Sequence, residues 1–130
     1  MRVPLTLIFV LLSRSLSFAA SEEFPAQLRG AWGSSQETCD ELKTGDPMGL
    51  RKEQRWLGIS AKNVLGSTQG RFLREIPAQA MGGAPSERSF EMQVLDERGS
   101  IVRLTLSTDG RLYETMVGAF NRALANYQRC

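Results

Sequence analysis

The sequence predicts a mainly β protein: an antiparallel meander that rolls into a small barrel, closed or incompletely closed. A short helical turn precedes it, and at its end a short C-terminal helix competes with a last strand. Three observations carry this expectation. Residues 89–106 alternate apolar and polar side chains with period two on either side of a Gly-containing turn. Further turn signals, Ala61-Lys62-Asn63 and Ser107-Thr108-Asp109-Gly110, recur at strand-length spacing. The 130 residues are 42% hydrophobic and 23% charged, which excludes disorder and suits a single globular domain.

The first element is an address rather than part of the fold. Arg2 supplies a positive start, Val3 to Leu12 an apolar run, and Ser17-Phe18-Ala19 the small residues a signal peptidase inspects. This predicts a signal peptide over 1–19, cut after Ala19 or at the nearby Ala19-Ala20-Ser21, and one β-rich domain over 20–130. The run falls short of the roughly 20 residues of a membrane span, so no stable span is expected after cleavage. The protein is therefore expected to be exported, periplasmic or secreted. Of 16 basic and 14 acidic side chains, Arg2 and Arg14 leave with the leader, so the remainder balances. Nucleic-acid binding needs a surplus of Lys and Arg on one face, and none is expected here. The cluster Arg51, Lys52 and Arg55 beside Trp56 contains Glu53 and reads as a solvated face.

Phe24 to Arg29 has Pro25 early and Gly30 as a stop, which predicts the helical turn. Asp46-Pro47-Met48-Gly49 marks a loop. Arg55 to Ser60 and Val64-Leu65 read as strands joined by Ala61-Lys62-Asn63, and Arg71 to Ile76 as a strand ended by Pro77. Met81 to Ser86 reads as a loop.

In the central hairpin Phe90, Met92 and Val94 share one face, as do Val102, Leu104 and Leu106. A three-residue loop with Gly99 in the left-handed position pairs Val94 with Val102 and Phe90 with Leu106. Arg111 to Val117 returns as the next strand, with the facing of Tyr113 undecided. Met116, Phe120, Ala123, Leu124 and Tyr127 fit one helical face, which sets a helix over Ala119 to Asn126 against a strand.

Two cysteines, Cys39 and Cys130, are expected to pair in an oxidising compartment. Neither belongs to a Cys-x-x-Cys, and the chain has no His, which disfavours redox or nucleophilic thiol chemistry.

Leu28-Arg29-Gly30-Ala31-Trp32, followed by Cys39, resembles the opening of small exported bacterial β-barrel proteins with a single disulfide. The same Gly-x-Trp opens lipocalins, where the Trp closes one barrel end. It also opens the periplasmic metalloprotease inhibitors, where a Cys follows at similar spacing. The chain departs from the inhibitors in that its only partner for Cys39 is the terminal Cys130. The resemblance implies a barrel-like fold, and the inhibitor likeness implies that Phe24-Pro25-Ala26-Gln27-Leu28 is an extended arm, with Phe24, Pro25, Leu28 and Trp32 as the candidate partner-binding residues.

Catalytic chemistry is not expected. Asp40, Glu41, Asp46 and Glu53 offer carboxylates for acid–base work, but their spacing matches no known arrangement and they read as solvated charges. No metal motif and no cofactor motif is present; the scattered Met48, Met81, Met92 and Met116 read as packing residues, Trp32 as a core plug and Trp56 as core or edge. The expectation is a monomeric, non-catalytic interaction or inhibitor-like module acting on an envelope or secreted protein. The competing expectation is a carrier of a small apolar ligand inside the barrel.

Overall fold

The computed structural model describes residues 22–77 and 87–130. The expected leader over 1–19 and the loop expected at Met81 to Ser86 lie outside the described residues.

The helical turn is present: Leu28 N–H donates to the Pro25 carbonyl at 3.0 Å and Arg29 N–H to that of Ala26 at 3.2 Å. Gly30, with a positive φ of 122°, then releases the chain into the first strand. Eight strands follow: β1 (Gly30–Gly33), β2 (Trp56–Ile59), β3 (Asn63–Gly66), β4 (Gly70–Ile76), β5 (Arg88–Val94), β6 (Ile101–Leu106), β7 (Leu112–Val117) and β8 (Arg122–Arg129). Each pairs antiparallel with the next, and β8 returns to β1, so the barrel is closed. Closure uses Trp32 opposite Arg129 and Gly33 opposite Gln128, extended by the Cys130 N–H donating to the Ala31 carbonyl at 2.9 Å.

Closure also decides the C-terminal segment, which is a strand and not the competing helix. It pairs with β7 from Leu112–Tyr127 to Met116–Arg122 and with β1 on its other side. A register shift at Glu114/Thr115 breaks the alternation of β8. One extra residue in a bulge moves apolar positions off a period of two, which is why the segment imitates a helical face.

The β5–β6 hairpin keeps its expected inward faces but not its expected register. Phe90 stands opposite Leu104 and Met92 opposite Val102, two residues from the predicted pairing. A two-residue shift preserves the face, whereas a one-residue slip would invert it. The longer loop is held by Asp96, whose carboxylate accepts from the N–H groups of Arg98 and Ser100, both at 3.1 Å, and from the Ser100 hydroxyl at 3.0 Å. Gly99 adopts the expected left-handed conformation, φ 61°. Between β6 and β7, Ser107 N–H donates to the Arg111 carbonyl at 3.0 Å, which turns Tyr113 outward and Leu112 and Glu114 inward.

A helix that the sequence reading did not foresee, α1 (Gln36–Thr44), leaves β1. Ser35 caps it by accepting from Thr38 N–H at 3.2 Å, Glu37 sits in its first turn and Lys43 in its last, and Gly45 ends it. Its buried face presents Cys39 to Cys130, and the expected disulfide is present with a Cα–Cα distance of 5.1 Å. The bridge closes a loop with a sequence separation of 91; the chain-entropy model assigns such a loop about 4–5 kcal/mol. At Gly33 a side chain would start 2.9 Å from Cys39 Sγ and 3.1 Å from Cys130 Sγ, so only glycine lets the bridge cross this strand.

The interior is one apolar cluster that joins Phe24 and Leu28 to buried residues of every strand except β4, from which the partly buried Phe72 packs against it. An eight-stranded barrel is just wide enough for its own side chains to fill. Trp32 is buried in this cluster, and its indole N–H donates to the Leu28 carbonyl at 2.8 Å.

Candidate functional site

The segment expected to reach out as an arm is folded back onto the barrel. Phe24 N–H donates to the Ala61 carbonyl at 2.7 Å, and the Phe24 ring meets Phe72 and Phe90 edge-on at 5.0 and 6.1 Å. Phe24, Leu28 and Trp32 are buried and Pro25 is half-buried. Their side chains are committed to the core, because the barrel end they plug would otherwise open its apolar interior to water.

The four front-half carboxylates do not converge. Asp40 accepts from Gln36 at 2.9 Å, Glu41 from Gln54 at 3.1 Å, Asp46 from the N–H of Met48 at 3.0 Å, and Glu53 lies 3.7 Å from Arg51. Among the described residues no three His, Cys, Asp or Glu side chains are grouped to hold a metal ion.

The structure instead assembles a polar cluster inside the barrel that sequence reading missed. Arg55 was expected on a solvated face. It turns into the barrel from the start of β2, and its Nη2 donates to Glu114 Oε1 at 3.1 Å and to Thr68 Oγ1 at 3.0 Å. Its Nε donates to the Tyr127 hydroxyl at 3.2 Å, which in turn donates to Glu114 Oε1 at 2.5 Å. Thr68 Oγ1 donates to Glu114 Oε2 at 2.5 Å. The Glu114 side chain is 0% exposed and that of Arg55 is 33% exposed. Burial opposes the charge of Arg55, but the hydrogen bond to Tyr127 and the adjacent Glu114 outweigh it and hold the guanidinium pKa above its usual value. Burial, followed by the negative charge of Glu114, pushes the Tyr127 hydroxyl well above the ordinary tyrosine range. The one sequence signal was a glutamate at an inward position of β7, between Leu112 and Met116.

What this cluster can do chemically follows from its bonds. A general base needs a carboxylate oxygen turned toward a substrate proton. Both oxygens of Glu114 are engaged by protein donors, two on Oε1 and one on Oε2. The arrangement is that of a satisfied buried network, the kind that fixes side-chain geometry.

A second feature lies on the outer wall. A groove of about 350 Å³ runs over β1, β2 and β3, with Trp56 and Leu65 as its large side chains and Ala31, Gly58 and Ser60 between them. Ala31, Gly58 and Leu65 form one cross-strand row. Gly66 is required there, with a positive φ of 120° and the Trp56 carbonyl 2.4 Å from where a Cβ would stand. Gly58 is not required: its Cβ would meet only the Trp56 ring, at 3.4 Å. A strand glycine often marks a bulge, a tight bend at a barrel corner or a place where another group approaches the backbone closely.

No family model, curated protein or solved structure matches this chain. What stands is its architecture: a small, closed, eight-stranded antiparallel barrel tied by one disulfide.

Proposed function

We propose that this protein is an exported, non-catalytic interaction module whose outer groove over β1–β3 receives an apolar segment of an envelope or secreted protein. The groove carries the reading. It pairs an exposed Leu65 and a half-buried Trp56 around Gly58, which leaves space that the barrel itself does not use. The disulfide supports a protein built for an oxidising compartment, and the engaged Glu114 favours binding over catalysis. The likeness to inhibitors and lipocalins is then a likeness of scaffold, with binding moved from the N-terminal arm to the wall. Carriage of a small apolar ligand within the barrel has less support, because packed side chains occupy the interior positions.

The test is site-specific photo-crosslinking of the exported protein in the cells that make it. A photoreactive side chain in place of Leu65 is expected to yield one protein adduct, and one in place of Tyr113, on the outer face of β7, none. Gly58→Leu, which fills the groove, is expected to suppress the adduct. Equal adducts from both positions, or none from Leu65, would overturn the reading.

A further inference from the structure

We infer that the Cys39–Cys130 disulfide is a redox clasp on the barrel seam: its reduction opens β1 from β8 and so disables the outer groove. The effect on the groove rests on the binding role proposed for it; the opening of the seam does not.

The seam between β1 and β8 is a short closure. It pairs Trp32 with Arg129 and Gly33 with Gln128, and the Cys130 N–H donates to the Ala31 carbonyl at 2.9 Å. By contrast β5 and β6 pair from Arg88–Leu106 to Gln93–Ile101, and β6 and β7 from Leu106–Leu112 to Ile101–Val117. β3 and β4 are matched as briefly as β1 and β8, at Asn63–Arg71 and Val64–Gly70. Residues 67–69 join those two strands directly, however, and keep them adjacent. No such connection joins β1 to β8, so bringing them together carries the loop-closure cost of nearly the whole barrel. Exposed side chains add a little. Gln128 Nε2 donates to Gln36 Oε1 and Arg129 Nη1 to the Arg29 carbonyl, both at 2.9 Å, and Arg129 stacks on Trp32. Water competes for such exposed hydrogen bonds, so their net contribution is small.

The disulfide lies across this seam. A Cβ at Gly33, the last residue of β1, would stand 2.9 Å from Cys39 Sγ and 3.1 Å from Cys130 Sγ. The two sulfurs belong to residues that differ in access: Cys39 is buried and Cys130 is half-buried. A dithiol reductant therefore attacks at Cys130 Sγ through its thiolate, and Cys39 leaves as a thiolate that takes up a proton. The second thiol of the reductant then resolves the mixed disulfide and releases Cys130 as a thiol. The reductant ends as its own disulfide, having passed two electrons and two protons to the protein.

The groove is coupled to this event through β1. Gly30 and Ala31 line it, and the Ala31 carbonyl is the acceptor for Cys130 N–H. With the bridge gone, β1 remains paired to β2 from Gly30–Ile59 to Gly33–Trp56 but becomes an edge strand. One wall of the groove then loses its support from β8, while β5 to β7 keep their long pairings.

Hydrogen exchange of the folded exported protein, with and without dithiothreitol and in the absence of denaturant, tests the clasp. Amides of residues 30–33 and 128–130 are expected to exchange at least about tenfold faster after reduction, with residues 88–106 unchanged. Unchanged exchange at the seam would overturn the proposal. So would equal acceleration in every strand, the mark of a staple on the whole fold, or failure of dithiothreitol to reduce the folded protein. Photo-crosslinking from position 65, run on both redox forms, tests the coupling: the adduct is expected to be lost on reduction. An adduct that persists while the seam opens would overturn the coupling. Absence of an adduct from the oxidised protein strikes the binding role of the groove and its regulation with it; hydrogen exchange then decides the clasp alone.

Discussion

The two ends of the barrel meet arginine in opposite ways. At the end where β1 begins, the guanidiniums lie on aromatic rings. Arg129 stacks on Trp32 at 4.5 Å and Arg88 on Phe90 at 5.3 Å, with Arg88 also held by both oxygens of Glu75 at 3.0 Å. From the opposite end Arg55 enters the interior and meets a carboxylate, Glu114, that is out of contact with water. The first end is sealed by apolar area, with cations as an outer layer. The second is held by a charge pair that is stable only because every donor and acceptor finds its partner. Apolar sealing tolerates imprecision; a buried charge does not, since an unmatched one costs several kcal/mol.

Substitutions sharpen this contrast. Trp32→Ala is expected to have the largest effect, about 3–5 kcal/mol, because it empties a large buried volume at the sealed end; denaturant unfolding measures it, and a loss below about 1 kcal/mol would mean that the plug is not part of the core. Glu114→Ala is expected to cost about 3 kcal/mol by leaving Arg55 uncompensated, with partial exposure of the guanidinium limiting the loss. Joining Arg55→Met to Glu114→Leu is expected to recover stability to within about 1 kcal/mol of the natural protein, since an apolar pair of similar size needs no partners. Failure of that rescue would show that the network does more than hold the wall together.

Tyr127→Phe is expected to cost about 1–2 kcal/mol at neutral pH. It also isolates a pH effect. The folded pKa of Tyr127 is raised, so the fold favours the neutral hydroxyl. Its contribution is complete below the unfolded value of about 10 and is lost as pH climbs beyond that value. Alkaline unfolding curves should therefore be less steep in Tyr127→Phe than in the natural protein. Arg129→Ala is expected to be mildest, about 1 kcal/mol, for the loss of a ring contact and of the bond to the Arg29 carbonyl at 2.9 Å.

The sealed end was largely legible in the sequence. Phe24 to Gly30 announces a turn, Gly30-Ala31-Trp32 announces a buried aromatic, and each signal lies within a few residues of its effect. The polar end was not legible. Arg55 sits beside Lys52 and Glu53 in the chain and reads as surface, yet its partners Glu114 and Tyr127 lie 59 and 72 residues away. The helix α1 carried signals that were overlooked, a Ser35 cap and a Gly45 stop, while its short apolar face offered little periodicity.

The amino-acid sequence by itself determined the class of the fold, the inward faces of the central hairpin and the pairing of Cys39 with Cys130. These follow from local alternation, turn chemistry and the presence of two cysteines. Only the tertiary structure decided the hairpin register, the strand at the C-terminus and the burial of Arg55 against Glu114. Each of those depends on how far neighbouring strands are staggered round a closed barrel. A two-residue stagger leaves every inward face unchanged, so alternation along one strand carries no record of it.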